Sequence, residues 1–226
     1  MKLLLKLCAL AVFAGSVTAA NAQGYKTNTI ANAPAFSAIE VSGNDVDVYF
    51  TQGEGYAFAV SGAENLLKKL SVKVKDNTLF IKYNAPFWVD DNDVKVSVTA
   101  PELTAVSVLG NGDFECKTPY RGETLKISTG QDGEVSFKNA QISQLTITAK
   151  GTSSVDFDYI EADNIRIFTQ NRPEVELAGT TGQLDVENRG RAEIDTTKLT
   201  VTQPNATAGT QTVGKVAKDG SVEFSF

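Results

Sequence analysis

The chain has no histidine, and its 226 residues include two cysteines, one methionine and one tryptophan. Without imidazole, no side chain has an ordinary pKa that makes it a base near neutrality. Catalysis would therefore fall to carboxylates, Lys, Tyr, Ser or a metal. A structural zinc site draws on Cys and His ligands in fours, and Cys8 and Cys116 are the whole supply. Basic charge is short as well. The 21 Lys and Arg are outnumbered by 27 Asp and Glu, giving a formal charge of −6 and a pI near 4.8. Nucleic-acid binding leaves a basic footprint, and anionic membrane surfaces attract basic segments. The charge balance argues against both partners, and nothing in the composition calls for a cofactor.

Long apolar runs are missing except at the start. Lys2 and Lys6 flank an apolar stretch over residues 3–17, and Ala20-Asn21-Ala22 follows. A positive start, a short apolar middle and an A-x-A exit predict a secretory signal peptide over residues 1–22. The stretch falls short of the roughly 20 apolar residues of a membrane span, so no transmembrane segment is expected after cleavage. Cys8 lies within the run and not at the cleavage point, which argues against a lipid anchor. Cleavage leaves Cys116 alone. A lone cysteine forms no internal disulfide, and it is expected to serve as a small apolar core group. The destination is the periplasm or the cell surface.

What the chain has in quantity is alternation. Val, Ile, Leu and Phe alternate with Lys, Thr, Ser and Glu between clusters of Gly, Asn and Asp, a strand-and-turn pattern. Residues 63–70 are the exception, placing Leu66, Leu67 and Leu70 on one face of a short helical turn. Asp76-Asn77 between two strands predicts a hairpin.

The alternation also repeats. An apolar pair begins at Val106, Leu125, Leu145, Ile165 and Leu184, at steps of 19 or 20 residues. A second begins at Phe114, Val135, Val155, Val175 and Ile194, at steps of 19 to 21. Two markers holding one period over five copies read as a solenoid whose coils carry two short strands each. The expected fold is all-β: a right-handed parallel β-helix, or β-solenoid, with coils of about 20 residues and a less regular N-terminal half. Leu125 and Ile127 should stack under Leu145 and Ile147, then Ile165 and Ile167, then Leu184 and Val186. After the leader, residues 23–35 read as a linker and 36–226 as one domain. Within it, 36–100 form irregular coils, 101–200 regular coils and 201–226 a C-terminal cap. A β-sandwich need not keep a fixed period. An outer-membrane barrel needs strands of about 9–11 residues with an apolar outer band, whereas the outward positions here are polar.

Several constellations are candidates for a site. In the solenoid frame Ser136, Asp156, Glu176 and Asp195 form one outward column, and Glu134, Ser154, Glu174 and Glu193 its neighbour. Calcium could relieve repulsion in such an acidic ribbon, but it needs about six to eight converging oxygens, so a solvated face is the favoured explanation. Arg166, Arg172, Arg189 and Arg191 lie near enough in this frame to pair with some of the acids. Trp88 with Asp91 and Asp93 could form a carbohydrate platform, the ring giving apolar contact and the acids accepting hydroxyls. The expected binding surface is thus Trp88, Asp91, Asp93, Asp156, Glu176 and Asp195, with no metal site and no catalytic residue assigned. The rival is a polysaccharide-active enzyme using a carboxylate pair such as Asp156 and Asp158, a reading that rests on fold analogy.

Residues 41–53 (VSGNDVDVYFTQG), AENLL at 63–67 and the bend Gly110-Asn111-Gly112-Asp113 together resemble the putative auto-transporter adhesin, head GIN domain family. The resemblance extends over about 36–226. It implies an exported β-helical protein of the kind common in Bacteroidetes, and it brings no catalytic residues. Later bends depart from the family's Gly-Ser-Gly-Asp pattern: Gly130-Gln131-Asp132-Gly133, Gly151-Thr152-Ser153-Ser154 and Gln170-Asn171-Arg172-Pro173. The expectation is an adhesin-like binding or structural module, not an enzyme. Its partner would be a glycan, a protein or a second copy meeting it at a solenoid end.

Overall fold

The computed structural model describes residues 18–20, 25–84, 94–203, 214–216 and 222–224. It is a β-solenoid of about five turns, about 20 residues apart, with a less regular N-terminal part. Each regular coil contributes to three faces rather than the two expected. On the first, residues 125–129, 145–149, 165–169 and 184–188 pair in parallel. On the second, 113–116, 134–137, 154–157 and 174–177 do the same, and 193–195 continue them. The third face joins 120–122, 140–142, 160–162, 179–181 and 199–201. It escaped the sequence reading because its inner residues are small or interrupted, as at Ala140, Gly179 and Thr181.

Parallel register puts equivalent side chains in columns. Leu125 pairs with Leu145, then Ile165, then Leu184, and Ile127 with Ile147, Ile167 and Val186. From Leu125 to Ile167 these side chains are at most 2% exposed, so the alternation does divide inside from outside. One step differs from expectation. Val106 stacks on Ile127, not on Leu125, and Val108 on Thr129. Both repeat markers therefore advance 21 residues at that coil. The later 19-residue step has a local cause. Two residues separate Phe157 from Ile160, but only Ala178 separates Leu177 from Gly179. Gly179 turns that tighter corner at φ +127°, where a Cβ would lie 2.1 Å from the Ile160 carbonyl oxygen. No residue with a side chain fits there without moving the backbone.

The N-terminal part is irregular because its coils are stacked out of chain order. The long strand Ala38–Gln52 bends between two faces. Its first half lies between Thr78–Tyr83 and Ala105–Val108, and its second between Val94–Ala100 and Asn111–Cys116. The first coil in sequence is thus the second in space. Antiparallel strands finish that end: Leu70–Lys75 beside Thr78–Tyr83, and Ala57–Ala63 then Tyr25–Ala31 beside Val94–Ala100. The Asp76-Asn77 hairpin is present, with both residues at positive φ, 48° and 61°. The helical turn is shorter than expected, Glu64–Leu67, and buries Leu66. Outward Lys73 and Lys75 keep the edge strand Leu70–Lys75 polar, a usual guard against edge-to-edge pairing.

The core is one cluster running through both parts. Its spine is a series of rings on the second face. Phe50 lies 6.0 Å from Phe114, Phe114 5.7 Å from Phe137, and Phe137 5.0 Å from Phe157. Tyr120 packs edge-on against Phe50 and Phe137. Its hydroxyl donates to the Leu103 carbonyl at 2.7 Å and accepts from the Leu103 N–H at 3.2 Å. Burial pushes that phenol up to about 12 and the Cys116 thiol up to about 11. Cys116 is the apolar core group the sequence called for, protonated and inert. The polar side chains where the first face turns into the second are also satisfied, with Thr129 bonded to Ser153 and Thr169 donating to Asn188.

Candidate functional site

The second face presents the acidic ribbon. One outward column runs Asp47, Asp113, Glu134, Ser154, Glu174 and Glu193; the other runs Tyr49, Glu115, Ser136, Asp156, Glu176 and Asp195. Carboxylates directly opposite across a strand pair repel each other, and the protonation equilibria record it. The Asp156 carboxyl is held above its ordinary range by partial burial, then by Asp158 and Glu176. Glu174 is raised by partial burial and by Glu176 and Glu193. Asp195, at the end of its column, is lowered instead, because the Thr197 hydroxyl and N–H both donate to it. Asp156, Asp158, Glu176 and Asp195 line a small cavity of about 160 Å³, with Lys198 as its cation. Among the described residues no group of three acids, Cys or His is arranged to hold a metal ion.

Asp113 feels the ribbon most. Partial burial, then Glu134, Asp47, Asp45 and Glu115, raise its carboxyl from 3.8 to about 6. The native state therefore binds more protons than the unfolded chain between about pH 4 and pH 6. Stability falls as pH rises through that window, and the cost is fully present above it. The side chain is exposed, so solvent screens most of the effect and less than about 1 kcal/mol should reach the folding equilibrium. Asp113→Asn should raise the melting temperature at pH 7.5 by no more than about 2–4 °C and leave it unchanged at pH 3.5. Equal shifts at both pH values would show that the carboxylates are not the cause.

A second surface of opposite sign lies at the corner between the first and second faces. Gly151, Thr152, Asn171, Arg172, Arg189, Gly190 and Arg191 line a groove of about 470 Å³. Two of these, Gly151 and Asn171, stack on Gln131 in successive turns, all left-handed at φ 80°, 74° and 56°. Arg189 is fixed in place by an ion pair with Glu187 at 2.6 Å and lies over the Phe168 ring, 5.3 Å from its centroid.

The structure brings Asp156, Glu176 and Asp195 together in one column, as the sequence indicates. Trp88, Asp91 and Asp93 lie outside the described residues. The arginines depart from expectation. Arg166 pairs with Asp185 at 3.1 Å and Arg189 with Glu187, both on the first face, and neither reaches the ribbon. Arg172 and Arg191 make no ion pair among the described residues. The physical reason is register: Arg166 and Arg189 fall on the first-face strands, and Arg172 and Arg191 in the turn after them, before the second face begins. The signal was available, because Arg172 and Arg191 sit one coil step apart in the sequence.

The fold is thus a β-solenoid with outward columns of charged and polar side chains. The chain belongs to the family described as "Putative auto-transporter adhesin, head GIN domain", whose model matches residues 35–225. No curated protein matches it. Solved structures share the fold. A putative adhesin from Parabacteroides distasonis ATCC 8503 is 21% identical with a TM-score of 0.72, over 80% of this chain and 76% of that one. A putative adhesin from Parabacteroides merdae ATCC 43184 is 20% identical with a TM-score of 0.71, over 81% and 77%. A protein described as a putative lipid binding protein, also from P. distasonis ATCC 8503, is 19% identical with a TM-score of 0.68, over 81% and 78%. No helix among the described residues is long and apolar enough to cross a membrane.

Proposed function

We propose that the chain is an exported, non-catalytic binding module of the periplasm or cell surface that holds a glycan or protein along the side of its solenoid. The observation that carries this is the set of outward columns. Parallel coils hydrogen-bonded to both neighbours set equivalent side chains about 4.7–4.9 Å apart on a rigid support, which suits an extended ligand better than a reacting group enclosed from water. The family assignment and its adhesin-type relatives support the same reading. Export rests on the leader: cleavage after Ala22 removes the strand Thr18–Ala20 and leaves Tyr25–Ala31 as the outer strand of its sheet.

The description of one structural relative as lipid binding raises the alternative of a lipid ligand. The large apolar side chains exposed among the described residues are Leu109 and Tyr159, too few for an acyl-chain bed. An array of glycans and matrix proteins, probed with the mature chain, is expected to give saturable binding with no change in the bound molecule. Cleavage products from any polysaccharide, lost in Asp156→Asn or Asp158→Asn variants that still fold, would overturn the reading in favour of an enzyme.

A further inference from the structure

Arg172 and Arg191 occupy one column. Asn171 stacks on Gly190, and the Arg191 N–H donates to the Asn171 carbonyl at 2.6 Å. Their side chains leave the backbone about 4.7–4.9 Å apart, and like charges so placed destabilise a strand pair. Arg166 pairs with Asp185 and Arg189 with Glu187, both first-face acids, while Arg121 on the third face makes no ion pair among the described residues. No carboxylate among the described residues pairs with Arg172 or Arg191. The nearest acid in their own column is Asp132, two coils before Arg172, and it accepts a hydrogen bond from the Thr152 hydroxyl. A chain with an excess of six acidic charges thus leaves two adjacent guanidinium groups unneutralised at the mouth of a groove.

The geometry points to an anion site: the groove takes a sulfate or carboxylate of an acidic glycan, held between Arg172 and Arg191. Guanidinium forks match the planar or tetrahedral oxygens of such groups, and hydrogen bonds between charged partners are the strong ones. The Asn171 amide, exposed beside them, can meet sugar hydroxyls. A glycan is favoured over a lipid headgroup because neither Leu109 nor Tyr159 lines the groove, which leaves an acyl chain without apolar contact. Net acidity further opposes an anionic bilayer. This inference rests on the binding-module reading and names the ligand class for it.

The test is calorimetric titration of the mature chain with a sulfated tetrasaccharide, a trigalacturonate, a neutral maltotetraose, an acidic hexapeptide and phosphatidylglycerol vesicles, at low and at 300 mM salt. The acidic sugars should bind at least tenfold more tightly than maltotetraose and weaken with salt, as exposed charge pairs do. An R172A/R191A double variant should lose tenfold or more of that affinity at an unchanged melting temperature. R172K/R191K should recover only part of it, since lysine keeps the charge but not the fork. Glu161→Gln, on the third face, should bind as the parent does. Binding that the double variant retains, preference for the neutral sugar, or binding to the peptide or vesicles alone would each overturn the inference. A glycan or protein captured on the array at another face would leave the module reading standing, whereas turnover of any sugar would remove both.

Discussion

Ile147→Asp is expected to abolish the regular stack, while Thr146→Asp, one residue earlier, should leave it intact. Ile147 is fully buried, between Ile127 on one side and Ile167 on the other. An aspartate there has no cation or donor within the core. It must either carry an unpaired charge in an apolar column or take up a proton and still lack a partner. A loss of more than about 4 kcal/mol follows, of the size reserved for buried-charge substitutions. For a chain of this length that lowers the melting temperature by about 10–20 °C. The damage should spread, because each coil is buried only by its neighbours and a solenoid's stability resides largely in those interfaces. Thr146 points outward between Lys126 and Arg166. An aspartate placed there meets cations on both sides and should change stability by no more than about 0.5 kcal/mol. Circular dichroism melts of the two variants decide the matter. Similar melts would mean that the inside and outside of this face have been assigned wrongly.

That contrast shows what the repeat made legible. A side-chain period of two fixes the face of each residue, and a coil period near 20 fixes which residues stack. Together they placed Leu125, Leu145 and Ile165 in one column and Asp156, Glu176 and Asp195 in another before any coordinates. Three features were hidden for separate reasons. The third face lacks a repeated pair of large apolar residues: where one coil has Ala140 and Ile142, another has Gly179 and Thr181. The out-of-order coil could not be read from local pattern, because Ala38–Gln52 looks the same whether its neighbour is the next coil or the one after. Pairing partners are a long-range property. Their trace in this sequence is Gly43 and Gly110, where a Cβ would come within 2.0 Å of the Tyr83 carbonyl oxygen and 1.9 Å of the Gly43 carbonyl oxygen. The Gly110-Asn111-Gly112-Asp113 bend that carries part of the family resemblance is, at its first residue, a point of close backbone contact between stacked coils. The spacing of Arg172 and Arg191 marks one column, but spacing alone does not say that the column falls in a turn between two faces and not on the ribbon's strands.

The second large effect is expected at Phe137, in the middle of the ring column that runs from the regular coils into the irregular ones. The side chain is 1% exposed and touches three other rings: Phe157 stacked at 5.0 Å with planes 4° apart, Phe114 at 5.7 Å and Tyr120 edge-on at 5.6 Å. Phe137→Ala should cost about 3–5 kcal/mol, the transfer of the ring plus the cavity its neighbours cannot close. Those neighbours are held by backbone ladders on both sides, so little collapse is available and the upper part of that range is expected. Phe137→Leu keeps most of the volume and should cost about 1–2 kcal/mol, much of it lost ring pairing. A double-mutant cycle between Phe137 and Phe157 separates the two contributions. A coupling of about 0.5–1.5 kcal/mol is expected if the stacked rings interact beyond simple burial. Phe50 continues the same column into the strand that the later coils enclose. Loss of Phe137 should therefore lower the stability of the irregular end together with the regular coils, in one transition by both calorimetry and circular dichroism. Two separated transitions would mean that the ring column does not bind the two parts into one cooperative unit.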